Sequence, residues 1–130
     1  EYFIIEEGIM FNSILSILEE KVKQGVEVRI MYDDMGSLGT LPASYAKQLE
    51  KKGIKAVSFN RISPIINTIM NHRDHRKILV IDGKVAFSGG ANLADEYINK
   101  KVKYGHWMDN IICVKGKDCM VLSNHVFCTN

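Results

Sequence analysis

Two prolines, one tryptophan and three cysteines are all this 130-residue chain holds of the residues that most often advertise a function. Cys113, Cys119 and Cys128 are odd in number and lack metal-ligand spacing, which argues against both a disulfide framework and a thiolate zinc site; buried or incidental thiols in a reducing compartment are expected. No Pro-rich linker, low-complexity tract or internal repeat appears, so solenoid and fibrous architectures are excluded. No apolar run approaches the roughly 20 residues that cross a bilayer. The opening Glu1-Tyr2-Phe3-Ile4-Ile5-Glu6-Glu7 has neither an initiator methionine nor a signal peptide, so an excised domain is expected, and the missing targeting segments say nothing of its parent. A net charge of +2 is too mild for nucleic-acid binding by bulk charge, and no nucleic acid is expected as partner.

What is present is ordinary globular material, 46% hydrophobic and 25% charged, and one domain over residues 1–130 is expected. Tyr2 to Ile5 reads as a short strand. Ile9 to Lys23 reads as an amphipathic helix with Phe11, Ile14, Leu15, Leu18 and Val22 on one stripe, ended by Gly25. Val26 to Tyr32 reads as a buried strand, Asp33 to Thr40 as a loop, Ala43 to Lys52 as a second helix opened by Pro42 and closed by Gly53, and Ile54 to Phe59 as another strand. That alternation predicts an α/β fold with a mixed, mostly parallel sheet flanked by helices. Beyond a polar connector over 60–74, Arg76 to Ile81 and Lys84 to Ser88 predict a hairpin around a two-residue Asp82-Gly83 turn. A short helix near Ala94 to Lys100, a strand over Trp107 to Val114 and a helix over Asp118 to Phe127 complete the expectation.

The chemistry concentrates in His75-Arg76-Lys77-Ile78-Leu79-Val80-Ile81-Asp82, followed by Ser88-Gly89-Gly90-Ala91-Asn92. Two residues apart on a strand, His75 and Lys77 share a face. An imidazole beside an ammonium suits attack on a phosphodiester: the imidazole serves as nucleophile or acid/base, and the ammonium neutralises the phosphoryl oxygens. Ser88, Gly89 and Gly90 let backbone N–H groups approach an anion, and Asn92 offers an amide nearby. Asp82 is a possible acid, although shaping the Asp-Gly turn suits it better.

A nucleophilic histidine needs its second nitrogen held, usually by a carboxylate. Asp95, Glu96 and Asp109 are the candidates; Asp109 is favoured because it lies where the Trp107–Val114 strand begins, a strand that could sit beside that of His75, and Glu96 is the second choice, although a solvated helix charge suits it better. Arg73 and Arg76 flank the site as phosphate contacts or solvated charges. His72, His106 and His125 do not form a recognised ligand set with His75, so no metal and no cofactor are expected. Phe59, Ile62, Ile65, Ile66, Ile69 and Met70 read as core or pocket wall, with membrane or acyl-chain contact as the lesser option.

His75-x-Lys77-x4-Asp82 with Gly89-Gly90-x-Asn92 resembles the motif of the phospholipase D superfamily. The stretches Asn71 to Lys84, Gly89 to Ile98, Tyr2 to Glu6, Val26 to Asp34 and Gly105 to Asp109 are very similar to the N-terminal catalytic half of bacterial cardiolipin synthases. The resemblance implies an α/β/α sandwich whose two motif-bearing halves share one active site. It implies His75 as the nucleophile that forms a phosphohistidine, Lys77 and Asn92 as phosphate ligands, Asp109 as the carboxylate orienting the histidine, and no metal. The implied reaction moves a phosphatidyl group between two phosphatidylglycerol molecules. The implied partners are that phospholipid, a membrane surface, and a second catalytic half in the parent chain or a symmetry mate. The implied location is the cell membrane of the parent, with this domain on the reducing cytoplasmic side. Only one His-x-Lys motif is present, and the N-terminal membrane helices of that family are absent. Two rivals remain: a single-motif homodimeric phosphodiesterase or nuclease of the same superfamily, and a non-catalytic module that binds phosphate or anionic lipid.

Overall fold

The fold is known from a computed structural model, which describes residues 1–60 and 73–121. The expected helix α1 spans Ile9–Lys23, with Phe11 and Leu15 buried and Ile14, Leu18 and Val22 packed against the core. Lys21 and Lys23 favour its C-terminal dipole, and Gly25, at φ +84°, turns the chain away as its N–H reaches the Val22 carbonyl at 2.9 Å. Its N-terminus is closed from a distance. Gly8 at the N-cap has no side chain to offer, and the Asp95 carboxylate accepts the N–H groups of Ile9 (3.0 Å) and Met10 (2.8 Å). A Cβ at Gly8 would stand 2.6 Å from that carboxylate.

Strand β1 (Arg29–Asp33) is followed by α2 (Tyr45–Lys51) and β2 (Lys55–Phe59). The two strands run parallel, Arg29 opposite Lys55 and Asp33 opposite Phe59, as the βαβ pattern requires. Ile30, Met31, Tyr32 and Asp33 are all buried, the pattern of a strand covered on both faces. The main core joins Ile30 and Tyr32 to Phe11, Leu15, Tyr45, Leu49, Ile54 and Ile5. Each large side chain there contributes roughly 1.5–3 kcal/mol by leaving water.

The expected hairpin is present as β3 (Ile78–Ile81) and β4 (Val85–Ser88), and β5 (Ile112–Lys115) adds to β4, all antiparallel. Its loop is three residues, because Ile81 pairs with Val85; Asp82 and Gly83 adopt φ of +52° and +62° within it. The α/β class stands, but the sheet comprises two small pieces, one parallel pair and one antiparallel triplet. The extended segment 1–5 lies between them rather than forming a strand of its own. Tyr2 exchanges hydrogen bonds with Met31 and Asp33 of β1, and the Glu1 carbonyl accepts the Ile78 N–H of β3 at 2.8 Å.

Three further expectations shift. Strand β3 starts at Ile78, so His75 and Lys77 precede it. The short helix is a single 3-10 turn, Asp95–Ile98. β5 starts at Ile112 rather than Trp107, because Trp107 and Asn99 hydrogen-bond each other and Asp109 turns back to the Gly90 loop, which leaves that backbone unavailable for pairing. The expected helix over Asp118 to Phe127 lies partly outside the described residues, as do Ile62, Ile65, Ile66, Ile69 and Met70.

The Asp95 cap has a pH signature. The amides of Met10 and Ile9 hold its carboxyl below the ordinary aspartate value of 3.8. A depressed folded value means that the contribution is complete above 3.8 and is lost as pH falls through the lower folded value. Asp95→Ala should therefore lower the unfolding midpoint at neutral pH and flatten this acid limb, as followed by far-UV circular dichroism. Gly8→Ala, which displaces the carboxylate, should do the same.

Candidate active site

His75 and Lys77 meet just ahead of β3. Lys77 Nζ lies 3.0 Å from His75 Nδ1 and donates to the His75 carbonyl at 2.6 Å. The imidazole is exposed, whereas Lys77 is only 5% exposed. Burial therefore pulls the ammonium below its ordinary value, against the opposing pull of Asp74. An ammonium can only donate, so Nδ1 must offer its lone pair, and the proton of the neutral ring sits on Nε2.

Phe3 completes the pair. Its ring centroid is 4.6 Å from that of His75 at an interplanar angle of 48°, and Lys77 Nζ sits 5.4 Å from it.

The segment carrying His75 is anchored by carboxylates. Buried Asp33, at the end of β1, accepts the N–H of Gly36 (2.9 Å) and of Asp74 (3.3 Å) and faces Arg73 at 3.5 Å. Arg73 also donates to the Asn60 carbonyl. Arg76 grips Asp74 through Nε at 2.9 and 3.0 Å and reaches Glu1 at 3.1 Å. Burial raises the Asp74 carboxyl, but the hydrogen bonds from Arg76 outweigh it and leave the group well below the usual carboxylate range. Arg73 and Arg76 thus serve as internal ties.

The glycine turn is also internally satisfied. Asp109 accepts the Gly90 N–H at 3.1 and 2.9 Å, together with that of Ala91. The amides that the sequence offers to an anion are held by this side chain. A Cβ at Gly90 would stand 2.9 Å from the carboxylate, so glycine provides the room for it. Asn92 is buried; its Oδ1 accepts the Ile4 N–H (2.9 Å) and its Nδ2 donates to the Tyr97 hydroxyl (2.8 Å). Ser88 is exposed at the end of β4, opposite Ile78, and Gly89 follows it. Asp82 lies in the hairpin loop, with the whole of β3 between it and His75.

None of the three carboxylates offered as partners for the imidazole touches it. Asp95 caps α1, Glu96 is buried against Lys103 at 3.0 Å, and Asp109 holds the Gly90 turn. Among the described residues, no carboxylate hydrogen-bonds His75. The structure thus brings His75 and Lys77 together, adds Phe3, Asp33 and Asp74, which the motif reading missed, and sets Asp82 apart. The Asp33-Asp34 doublet closing an apolar strand was the available signal, since sites in α/β sheets gather at the carboxyl ends of strands. Among the described residues, no group of His, Cys, Asp and Glu is arranged to hold a metal, and no helix is long and apolar enough to cross a membrane.

Asp33→Ala would strand Arg73 in a mostly buried position, so it should cost about 3 kcal/mol. It should also release the His75 segment, seen as a lower urea midpoint and faster amide exchange at Asp74.

The family model described as cardiolipin synthase, PLD-like domain, matches residues 2–122. An uncharacterized protein of Streptococcus mutans is 61% identical over 90% of this chain and 25% of its own length. The cardiolipin synthase of Alkalihalophilus pseudofirmus is 42% identical over 90% of this chain and 23% of its own. A cardiolipin synthase of Staphylococcus aureus strain Mu50 is 42% identical over 89% and 24%. The chain therefore spans about a quarter of the length of the curated relatives it matches. With a matching motif, an α/β fold and relatives of this kind, the chain belongs to the PLD-like domain family of cardiolipin synthases.

Proposed function

We propose that this chain is the N-terminal catalytic half of a phosphatidyltransferase of the cardiolipin synthase type, acting on phosphatidylglycerol at a membrane surface. The observation that carries the reading is the exposed His75 imidazole with the Lys77 ammonium 3.0 Å from Nδ1. A phosphodiester approaching His75 meets a nucleophile and a cation in one place, and the proximity is worth far more than either group alone.

In the proposed step a lone pair of a His75 nitrogen forms the N–P bond. The P–O bond to the departing glycerol breaks, its electron pair goes to the glycerol oxygen, and a histidine of the second half protonates that oxygen. The hydroxyl of a second phosphatidylglycerol then forms the new P–O bond, the N–P electron pair returns to His75, and the hydroxyl proton goes back to the second histidine. Lys77 follows the charge: the phosphoryl oxygens draw its ammonium away from Nδ1, which frees Nδ1 for the ring proton and leaves the lone pair on the other nitrogen. Asn92, Ser88, Gly89 and Gly90 are taken as the phosphate side of the site, supported by Ser88 lying opposite Ile78 at the start of β3 and by Asp109 holding the glycine turn. No metal or cofactor enters the scheme. The mild charge and the 42% identity to cardiolipin synthases favour lipid over nucleic acid as substrate.

In the full-length parent chain, His75→Ala should abolish capture of label from phosphate-labelled phosphatidylglycerol in an acid-labile, base-stable bond. Cardiolipin formation should fall by at least about a thousandfold. Retained turnover would remove the nucleophile assignment. Lys77→Ala should keep the capture but slow it by about a hundredfold.

A further inference from the structure

We propose that Phe3 is a positioning residue for the His75–Lys77 pair, its ring face seating the Lys77 ammonium and walling one side of the imidazole. The inference rests on the reading of His75 as nucleophile and deepens it by naming what holds the pair.

Lys77 is 5% exposed, and among the described residues it has no carboxylate in ion-pair contact. A cation removed from water needs compensating partners. Here they are the His75 carbonyl at 2.6 Å, Nδ1 at 3.0 Å and the Phe3 ring at 5.4 Å. Nδ1 belongs to the imidazole, which must change charge during the proposed reaction. The backbone carbonyl and the Phe3 ring stay constant, and of these the ring is the side chain that touches both members of the pair. Its negative face attracts a cation without donating or accepting a proton, so it leaves the ammonium free to shift toward a phosphate. The same face, 4.6 Å from the imidazole, favours the cationic ring that N–P bond formation produces.

Phe3 is itself fixed. Tyr2, its neighbour, is hydrogen-bonded to β1 on both sides, with Met31 and with Asp33. Gly36 closes over the ring: a Cβ there would stand 2.9 Å from two ring carbons and 2.2 Å from the Phe3 carbonyl oxygen. Asp33 holds Gly36 in place through its amide at 2.9 Å. The ring cannot retreat from the pair without opening that turn.

The test replaces Phe3 in the full-length parent chain with mono-, di- and pentafluorophenylalanine, which keep the shape and drain the π face, beside Phe3→Leu and His75→Ala. Phosphohistidine formation and kcat should fall stepwise with fluorination, by about three- to thirtyfold for the pentafluoro ring. KM for phosphatidylglycerol should change much less than kcat, and the chain should remain folded at the assay temperature throughout the series. A purely structural ring would leave the fluorination series flat. The proposal is overturned if the pentafluoro variant forms phosphohistidine at the wild-type rate while His75→Ala is inactive. It falls with its premise if His75→Ala still transfers phosphatidyl groups, and that outcome is distinguishable because the His75 variant alone reports it.

Discussion

A buried ammonium organises this domain. Lys77 sits with 5% of its surface exposed, directly beneath an exposed imidazole. Removing a cation from water costs several kcal/mol unless its donors are met and its field is answered. The neighbouring backbone makes this possible. The segment before β3 turns the His75 carbonyl toward Nζ, the extended stretch around Tyr2 presents the Phe3 ring, and Asp33 pins the Asp74 amide that leads into the pair. The seam between the parallel and antiparallel sheets runs through the same residues, because Glu1 and Tyr2 bond β3 and β1 respectively. The place where the sheets are joined is thus the place where the charge is buried, and loosening either loosens the other.

Carboxylates do the joining. Asp33, Asp95 and Asp109 each accept backbone N–H groups from a segment well removed in sequence, namely Asp74, the start of α1 and the Gly90 turn, and Asp33 also accepts the amide of Gly36 in its own turn. Hydrogen bonds to an ionised group are shorter and stronger than neutral ones. The glycines opposite these carboxylates fit the same scheme. Gly8 and Gly90 lack a side chain where one would strike Asp95 and Asp109, so at these positions glycine supplies space for a long-range cap.

Much of this was legible in the sequence, in proportion to how local its cause was. The helix Ile9–Lys23 emerges with the expected bounds because the spacing of Phe11, Leu15 and Leu18 and the stop at Gly25 are local signals. The βαβ unit and the hairpin follow from alternation and from Asp82-Gly83. The pairing of His75 with Lys77 was legible from their spacing, although both precede β3. What escaped was non-local. Trp107 to Val114 reads as one strand, but Asn99 and the Gly90 turn claim the polar groups of its first part. The strand that does form, Ile112–Lys115, is exposed along its length despite its apolar residues. The roles of Asp95, Glu96 and Asp109 were decided by which amide or ammonium each could reach, and no spacing rule encodes that.

The tautomer constraint links this geometry to the second half that the proposed reaction invokes. With the ammonium donating to Nδ1, the His75 proton rests on Nε2, so the resting pair does not present an Nε2 lone pair to phosphorus. A phosphate that attracts Lys77 removes the donor from Nδ1, and only then can the ring redistribute its proton. In the proposed transfer, substrate binding therefore activates the nucleophile through the lysine, and water, which carries no charge to attract Lys77, leaves the pair in its resting form. The leaving oxygen still needs a proton. Lys77 is then engaged with the phosphate, Asp109 and Asp33 are occupied by amides, and Asp82 lies beyond β3. Among the described residues no second acid faces His75, and the proposed transfer takes its proton donor from the second half.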